Sequence, residues 1–125
     1  MPVIRLKRAY EAAAKSDGAR ILIERLWPRG VKKTSLPLAA WAKEVAPTTG
    51  LRQWFSHDPS KWLEFQRRYT AELRTHAAEL APLLAAARGG TLTLIYSSHD
   101  AEHNNAVVLK YFLEGKLKEK AGKAA

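Results

Sequence analysis

The feature that most constrains the fold of this chain is the alternation of short apolar segments with long helical ones. Residues 3–10 and 19–27 have the dense apolar pattern of strands, and Thr91–Tyr96 combines β-branched and aromatic residues. Between the second and third of these segments, residues 59–87 carry apolar side chains at helical spacing. Strands separated by helices predict an α/β layered domain, in which helices pack on a short, mostly parallel sheet of three or four strands.

Weaker signals divide the rest of the chain. Residues 37–45 and 102–114 have the apolar spacing of short helices, and residues 51–56 can add a helical turn. A continuous helix over 59–87 would be about 43 Å long, which is too long for a domain of this size. We therefore expect a break between Thr75 and Pro82.

The connection between the first two predicted strands leaves their pairing open. It is shorter than the dozen or more residues that a parallel crossover usually needs. A hairpin is therefore an alternative to parallel pairing for these two strands.

Composition excludes several classes of protein. The chain has 125 residues, of which 46% are hydrophobic, so it can bury the core of one domain. We expect this domain to span residues 1–114, followed by a flexible basic tail at 115–125. The chain has no cysteine, which excludes disulfide scaffolds and thiolate metal sites. Because it also has no long apolar run and no signal peptide pattern, we expect a cytoplasmic protein without a membrane partner.

The charge predicts an anionic partner. Lysine and arginine number 21 against 12 acidic residues, which gives a net charge of +9. A field of this sign attracts phosphates, nucleotides and nucleic acid. Basic residues concentrate at 20–33 and 116–123, so a small anionic ligand and a nucleic acid are both candidate partners.

Cationic and polar residues follow two of the predicted strands. In open parallel sheets, ligands bind outside the carboxyl ends of the strands. The start of the helix predicted after the third strand offers free N–H groups to an anion, and arginines can grip a phosphate with two hydrogen bonds. These positions predict a ligand-binding crevice formed by Arg25, Trp27, Arg29, Tyr96, Ser97, His103 and Asn104.

Two residues are candidates for acid–base catalysis. His57 precedes Asp58 in a pattern of a base with its orienting carboxylate, although Asp58 can equally cap the helix that follows. Asp100 is the second candidate, and it can equally be a cap of the last helix. No catalytic residue is assigned beyond these two candidates.

A metal or cofactor site is not predicted. His99 and His103 have the spacing of a zinc peptidase motif, but Asp100 stands where that motif has glutamate, and the pair lies at a loop–helix junction. The chain has neither a phosphate-binding loop nor a dinucleotide fingerprint. We therefore predict no metal and no cofactor.

Several motifs of the chain resemble one known family. The segment 17–30, the Pro-Thr-Thr at 47–49, the His-Asp-Pro at 57–59 and the His-Asn at 103–104 together resemble domain-of-unknown-function family 488, in its short YeaO-like branch. The likeness covers about residues 3–114. It implies a compact α/β protein of the cytoplasm and names no reaction.

The resemblance also bears on individual residues. It places Arg52 among the motif positions, so Arg52 joins the residues expected to bind the ligand. The chain departs from the family pattern at Ala19, where an aromatic residue is usual, and at Glu24, where aspartate is usual. Gly50 replaces an acid that often precedes the Leu-Arg pair, which weakens any mechanism needing a carboxylate there.

Three functions fit these observations. The first is the binding, with or without chemistry, of a small phosphate- or nucleotide-like anion in the crevice after strands two and three. The second is a nucleic-acid-binding accessory or regulatory protein that uses the basic surface. The third is an interaction module without chemistry. We expect the first and keep the second as its alternative.

Overall fold

Strands and helices alternate along the chain in the structure, a computed structural model. It describes the backbone of residues 2–124 and the side chains of residues 2–119. The strands of this part are β1 (Val3–Arg8), β2 (Ala19–Leu22), β3 (Ala40–Trp41) and β4 (Thr91–Tyr96). The α-helices are α1 (Thr49–Phe55), α2 (Trp62–Leu73), α3 (Ala77–Arg88) and α4 (Asn105–Ala124).

The strands form one sheet in the order β1-β4-β2-β3, and every neighbouring pair is parallel. This confirms the α/β class with a parallel sheet and helices packed on it. Because β4 lies between β1 and β2, those two strands do not pair. The hairpin alternative for them is therefore wrong.

The edge of the sheet beside β2 differs from the prediction. The strand predicted over 19–27 ends at Leu22, and the helix predicted over 37–45 is replaced by the short strand β3 and a 3₁₀ turn at Lys43–Val45. The backbone N–H of Ala39 donates to the carbonyl of Arg20 at 2.7 Å, and that of Ala42 to Leu22 at 2.8 Å. These bonds to β2 satisfy the backbone groups that a helix would have used.

The helical regions follow the predictions with shifted ends. The break expected between Thr75 and Pro82 falls between α2 and α3, while Pro82 itself lies inside α3. α4 begins at Asn105 and continues past Gly115, where the sequence predicted its end. The flexibility of residues 115–125 stays a prediction, and Ala125 lies outside the described residues. No helix in the described part is long and apolar enough to cross a membrane.

β4 is the centre of the core. Leu92, Leu94 and Ile95 are fully buried. One face of the sheet packs against the helices, and the other is covered by the loops after β1 and β2, which contribute Ala9 and Leu36. The helices and loops leave the carboxyl ends of β2 and β4 bordering an open cavity.

Candidate functional site

A cavity of about 290 Å³ lies at the carboxyl ends of β2 and β4. The loops that follow these strands form two of its walls, and α1, α2 and the start of α4 form the rest. The structure brings together in these walls most of the residues predicted for the site, namely Arg25, Trp27, Arg29, Arg52, His57, Ser97, His103 and Asn104. Tyr96 is buried and does not line the cavity. Asp100 borders it through contacts with Ser98, His103 and Asn104, which do.

Arg25 and Trp27 are held by hydrogen bonds to the backbone. The Arg25 guanidinium donates from Nε to the Pro47 carbonyl at 2.9 Å and from Nη2 to the Ala46 carbonyl at 3.1 Å. The Trp27 indole donates to the Val31 carbonyl at 2.6 Å. Arg25 therefore joins two walls of the cavity while its positive charge stays in the wall.

Arg29 and Arg52 are the more available cations. Both are exposed, and neither guanidinium has a hydrogen-bond or ion-pair partner among the side chains that the structure describes.

The backbone of the Arg29 loop is held in place by Tyr10. The Tyr10 hydroxyl donates to the backbone carbonyl of Arg29 at 3.0 Å. Gly30, at φ +78°, permits the turn in which this loop reverses.

Glu24 is a cavity residue that the sequence analysis did not include in the site. Its carboxylate accepts a hydrogen bond from the Ser97 backbone N–H at 3.2 Å. Burial raises the pKa of Glu24 to about 7, against the opposing effects of the Ser97 N–H, the Asn105 side chain and the Arg52 charge. Glu24 therefore gains and loses a proton near neutral pH. An acid directly after a continuous apolar strand is the sequence signal that could have identified it.

His103 is oriented by Asp100. The Asp100 carboxylate accepts from the backbone N–H of Glu102 at 2.9 Å and of His103 at 3.0 Å, and its second oxygen lies 2.9 Å from Nδ1 of the His103 ring. These hydrogen bonds lower the pKa of Asp100, the Glu102 N–H most strongly. The His103 ring also packs edge-on against Trp62, with centroids 5.2 Å apart. Asp100 thus positions the imidazole that lines the cavity.

His57 lies on unusual backbone. Ser56 and His57 both have positive φ, at +46° and +55°, immediately after α1. Residues other than glycine cost free energy at positive φ, and residues held in this conformation cluster at functional sites. The Asp58 carboxylate accepts from the Ser60 N–H at 3.0 Å, so Asp58 caps the turn that leads into α2. His57 therefore lines the cavity without that carboxylate as its orienting partner.

The spacing of His99 and His103 does not produce a shared site. His99 is exposed, and its Nδ1 lies 3.3 Å from the Arg8 guanidinium. His103 turns instead to Asp100. Among the described residues, no group of three or more His, Cys, Asp or Glu side chains lies close enough to hold a metal ion.

Comparison with known proteins identifies the family. Residues 3–125 match a family model described as the inactive DUF488-N3 subclade. The chain belongs to the DUF488 family. This confirms the resemblance seen in the sequence. The YeaO-like character is confirmed as well, because this chain is similar to YeaO.

The relatives of this DUF488 chain match it over nearly their whole length. Uncharacterized protein YeaO of Escherichia coli (strain K12) is 44% identical over 110 residues, which cover 88% of this chain and 96% of YeaO. Uncharacterized protein Rv3073c of Mycobacterium tuberculosis (strain ATCC 25618 / H37Rv) is 35% identical over 113 residues, which cover 90% of this chain and 95% of the relative. No solved structure matches the chain significantly.

Proposed function

We propose that this DUF488 protein binds a small phosphate- or nucleotide-like anion in the cavity at the carboxyl ends of β2 and β4. One observation carries the proposal: three arginines, Arg25, Arg29 and Arg52, share the wall of one cavity, and two of them have no partner among the described side chains. Guanidinium groups bind phosphate and carboxylate oxygens with charge-assisted hydrogen bonds.

The start of α4 supports the same ligand. Asn104 and Asn105, at the N-terminus of this helix, both line the cavity. The Asn104 side chain caps the helix by accepting from the Val107 N–H at 3.1 Å. A helix N-terminus carries partial positive charge, which stabilises an anion placed near it.

The protonation of Glu24 suits an anionic ligand at neutral and acidic pH. Below its pKa of about 7, Glu24 is neutral and presents no negative charge to the anion. A protonated carboxyl can also donate a hydrogen bond to a phosphate oxygen. We therefore expect the anion to bind more weakly as pH rises above 7.

Binding without turnover is the form of the proposal that the family favours. The matching subclade is described as inactive, and the contact with Asp100 holds the His103 ring in one position in the cavity wall. We expect the protein to act in this way in the cytoplasm, where phosphorylated metabolites are abundant.

The test is calorimetric titration with sulfate, phosphate and adenosine 5′-monophosphate, with uncharged adenosine as the ligand control. Arg29→Ala should weaken binding of each anion about tenfold or more, because a hydrogen bond to a charged group contributes roughly 1.5–3 kcal/mol. Arg88→Ala is the matched control, since Arg88 is exposed in the last turn of α3, away from the cavity. Equal effects of the two substitutions would contradict the proposal, because only net charge would then matter.

Salt dependence separates this function from nucleic-acid binding. An anion held in a cavity by arginines should still bind at moderate salt. Oligonucleotide binding that disappears with salt and does not respond to Arg29→Ala would favour the basic surface instead.

A further inference from the structure

A second cavity, a cleft of about 570 Å³, lies beside the first. The loop after β1 forms one side of it, and residues 30–35 form the other. Tyr10 lines both cavities, so it is the side chain that a ligand occupying both can contact in each of them.

The Tyr10 ring is exposed, and contacts with Arg8 and Arg29 fix its position. It is 46% exposed, and its hydroxyl donates to the Arg29 carbonyl at 3.0 Å. The Arg8 guanidinium lies 4.8 Å from the centre of the Tyr10 ring, and Arg8 is itself anchored by a 2.8 Å hydrogen bond from Nε to the Ser98 carbonyl. Exposed aromatic rings beside cations are surfaces on which nucleobases stack.

Each of the two cavities that Tyr10 lines also has an exposed cation in its wall. Arg29 lines the first cavity, and Lys32, on the same loop, lines the second. Lys32 is exposed, and its side chain has no ion pair with the described residues. The acid in the second cavity, Glu11, accepts a 2.6 Å hydrogen bond from the Arg8 backbone N–H, so part of its bonding capacity is already used.

A buried guanidinium lies in the wall of the second cavity. Arg20 lines it and forms an ion pair with Asp17. Its Nη2 has no hydrogen-bond partner among the described residues. Because Asp17 balances the Arg20 charge, Lys32 is the cation of the second cavity that an anion can reach, and Tyr10 lines this cavity together with the first one.

We propose that Tyr10 stacks a nucleobase whose phosphates lie on either side of it, one near Arg29 and one near Lys32. This rests on the proposed function and specifies its ligand as a nucleotide with two separated phosphates. A free nucleoside 3′,5′-bisphosphate and an internal nucleotide of a short single strand share this chemistry.

The experiment compares inorganic phosphate, adenosine 5′-monophosphate and adenosine 3′,5′-bisphosphate by calorimetry. Tyr10→Ala should weaken both nucleotides about tenfold or more, in line with the loss of one stacked base, and should weaken phosphate much less. Tyr10→Phe keeps the ring and is the control, because it should retain most nucleotide affinity. Melting temperatures of both variants show whether they fold.

A second pair of variants tests the second phosphate. Lys32→Ala should weaken the bisphosphate several-fold and leave the monophosphate unchanged. Lys15→Ala, at an exposed lysine outside both cavities, is its control. Equal effects of these two substitutions on the bisphosphate, or no gain of bisphosphate over monophosphate, would overturn the role of the second cavity.

The outcomes also separate this inference from the proposed function. Nucleotide affinity that Tyr10→Ala leaves unchanged would overturn the stacking, while phosphate binding sensitive to Arg29→Ala would leave the proposed function standing. Absence of phosphate and sulfate binding would refute the proposed function itself. A pentanucleotide that binds more tightly than the bisphosphate identifies a strand as the source of the ligand, and the reverse order identifies a free nucleotide.

Discussion

Glu24→Gln should make the stability of this protein much less sensitive to pH. The carboxyl of Glu24 has a pKa of about 7 in the folded protein against an ordinary value of 4.5. The folded state therefore holds this proton more tightly than the unfolded state does. Since each pKa unit corresponds to about 1.36 kcal/mol, burying the charged form costs about 3 kcal/mol.

The sign of the pH effect follows from the two pKa values. Below pH 4.5 the carboxyl is protonated in both states and the cost is absent. Between pH 4.5 and 7 the unfolded state releases the proton and the folded state keeps it, so the free energy of unfolding falls as pH rises. Above pH 7 both states are ionised and the cost of about 3 kcal/mol is complete.

Glutamine removes this titration while keeping an oxygen that can accept from the Ser97 N–H. The difference in unfolding free energy between Glu24→Gln and the parent protein should grow by about 2 to 3 kcal/mol from pH 5 to pH 8. For a domain of this size, that corresponds to a change in melting temperature of about 10 °C. Any constant offset between glutamine and glutamate cancels in this comparison.

The assay is urea unfolding followed by tryptophan fluorescence at pH 5, 6, 7 and 8, in buffers without phosphate or sulfate. Glu44→Gln, at an exposed acid outside the cavity, controls for the loss of one negative charge. Parallel stability curves for Glu24→Gln and the parent protein would refute the reasoning, because Glu24 would then titrate alike in both states. Sulfate affinity should likewise fall less between pH 5.5 and 8 in Glu24→Gln than in the parent.

Two further predictions concern the start of β2. Gly18→Ala should destabilise the protein by about 2–4 kcal/mol, because Gly18 has φ +64° and an added Cβ would lie 2.3 Å from the Thr91 carbonyl oxygen. Gly30→Ala, at φ +78° but with open space around it, should cost only about 1 kcal/mol in the same urea assay. Asp17→Asn should cost about 3 kcal/mol at pH 7, because it leaves the buried Arg20 charge without its carboxylate. Hydrogen bonds lower the pKa of Asp17 from 3.8 to about 2, and the bond from the Ala14 N–H has the largest effect. The loss caused by Asp17→Asn should therefore shrink as pH falls through this range, which acid titration of both proteins checks.

The position of the candidate site was predictable because it depends on local patterns. The limits of β4, Thr91–Tyr96, agree with the sequence because its apolar and β-branched residues are continuous. Polar residues after β2 and β4 meet because parallel strands direct their carboxyl ends to one edge of the sheet. The sequence by itself therefore determined the α/β class, the family and the loops that form the cavity.

Long-range contacts decided the rest. The strand β3, only Ala40–Trp41, exists through hydrogen bonds to β2, and no local pattern marks two residues as a strand. The raised pKa of Glu24 arises from burial in the folded protein, and the Ser97 N–H and Asn105 side chain that oppose it are distant in sequence. Tyr10 lies between two cavities because its loop packs beside the turn at Arg29. Pairing, burial and proximity join residues far apart in the chain, so the tertiary structure alone determines them.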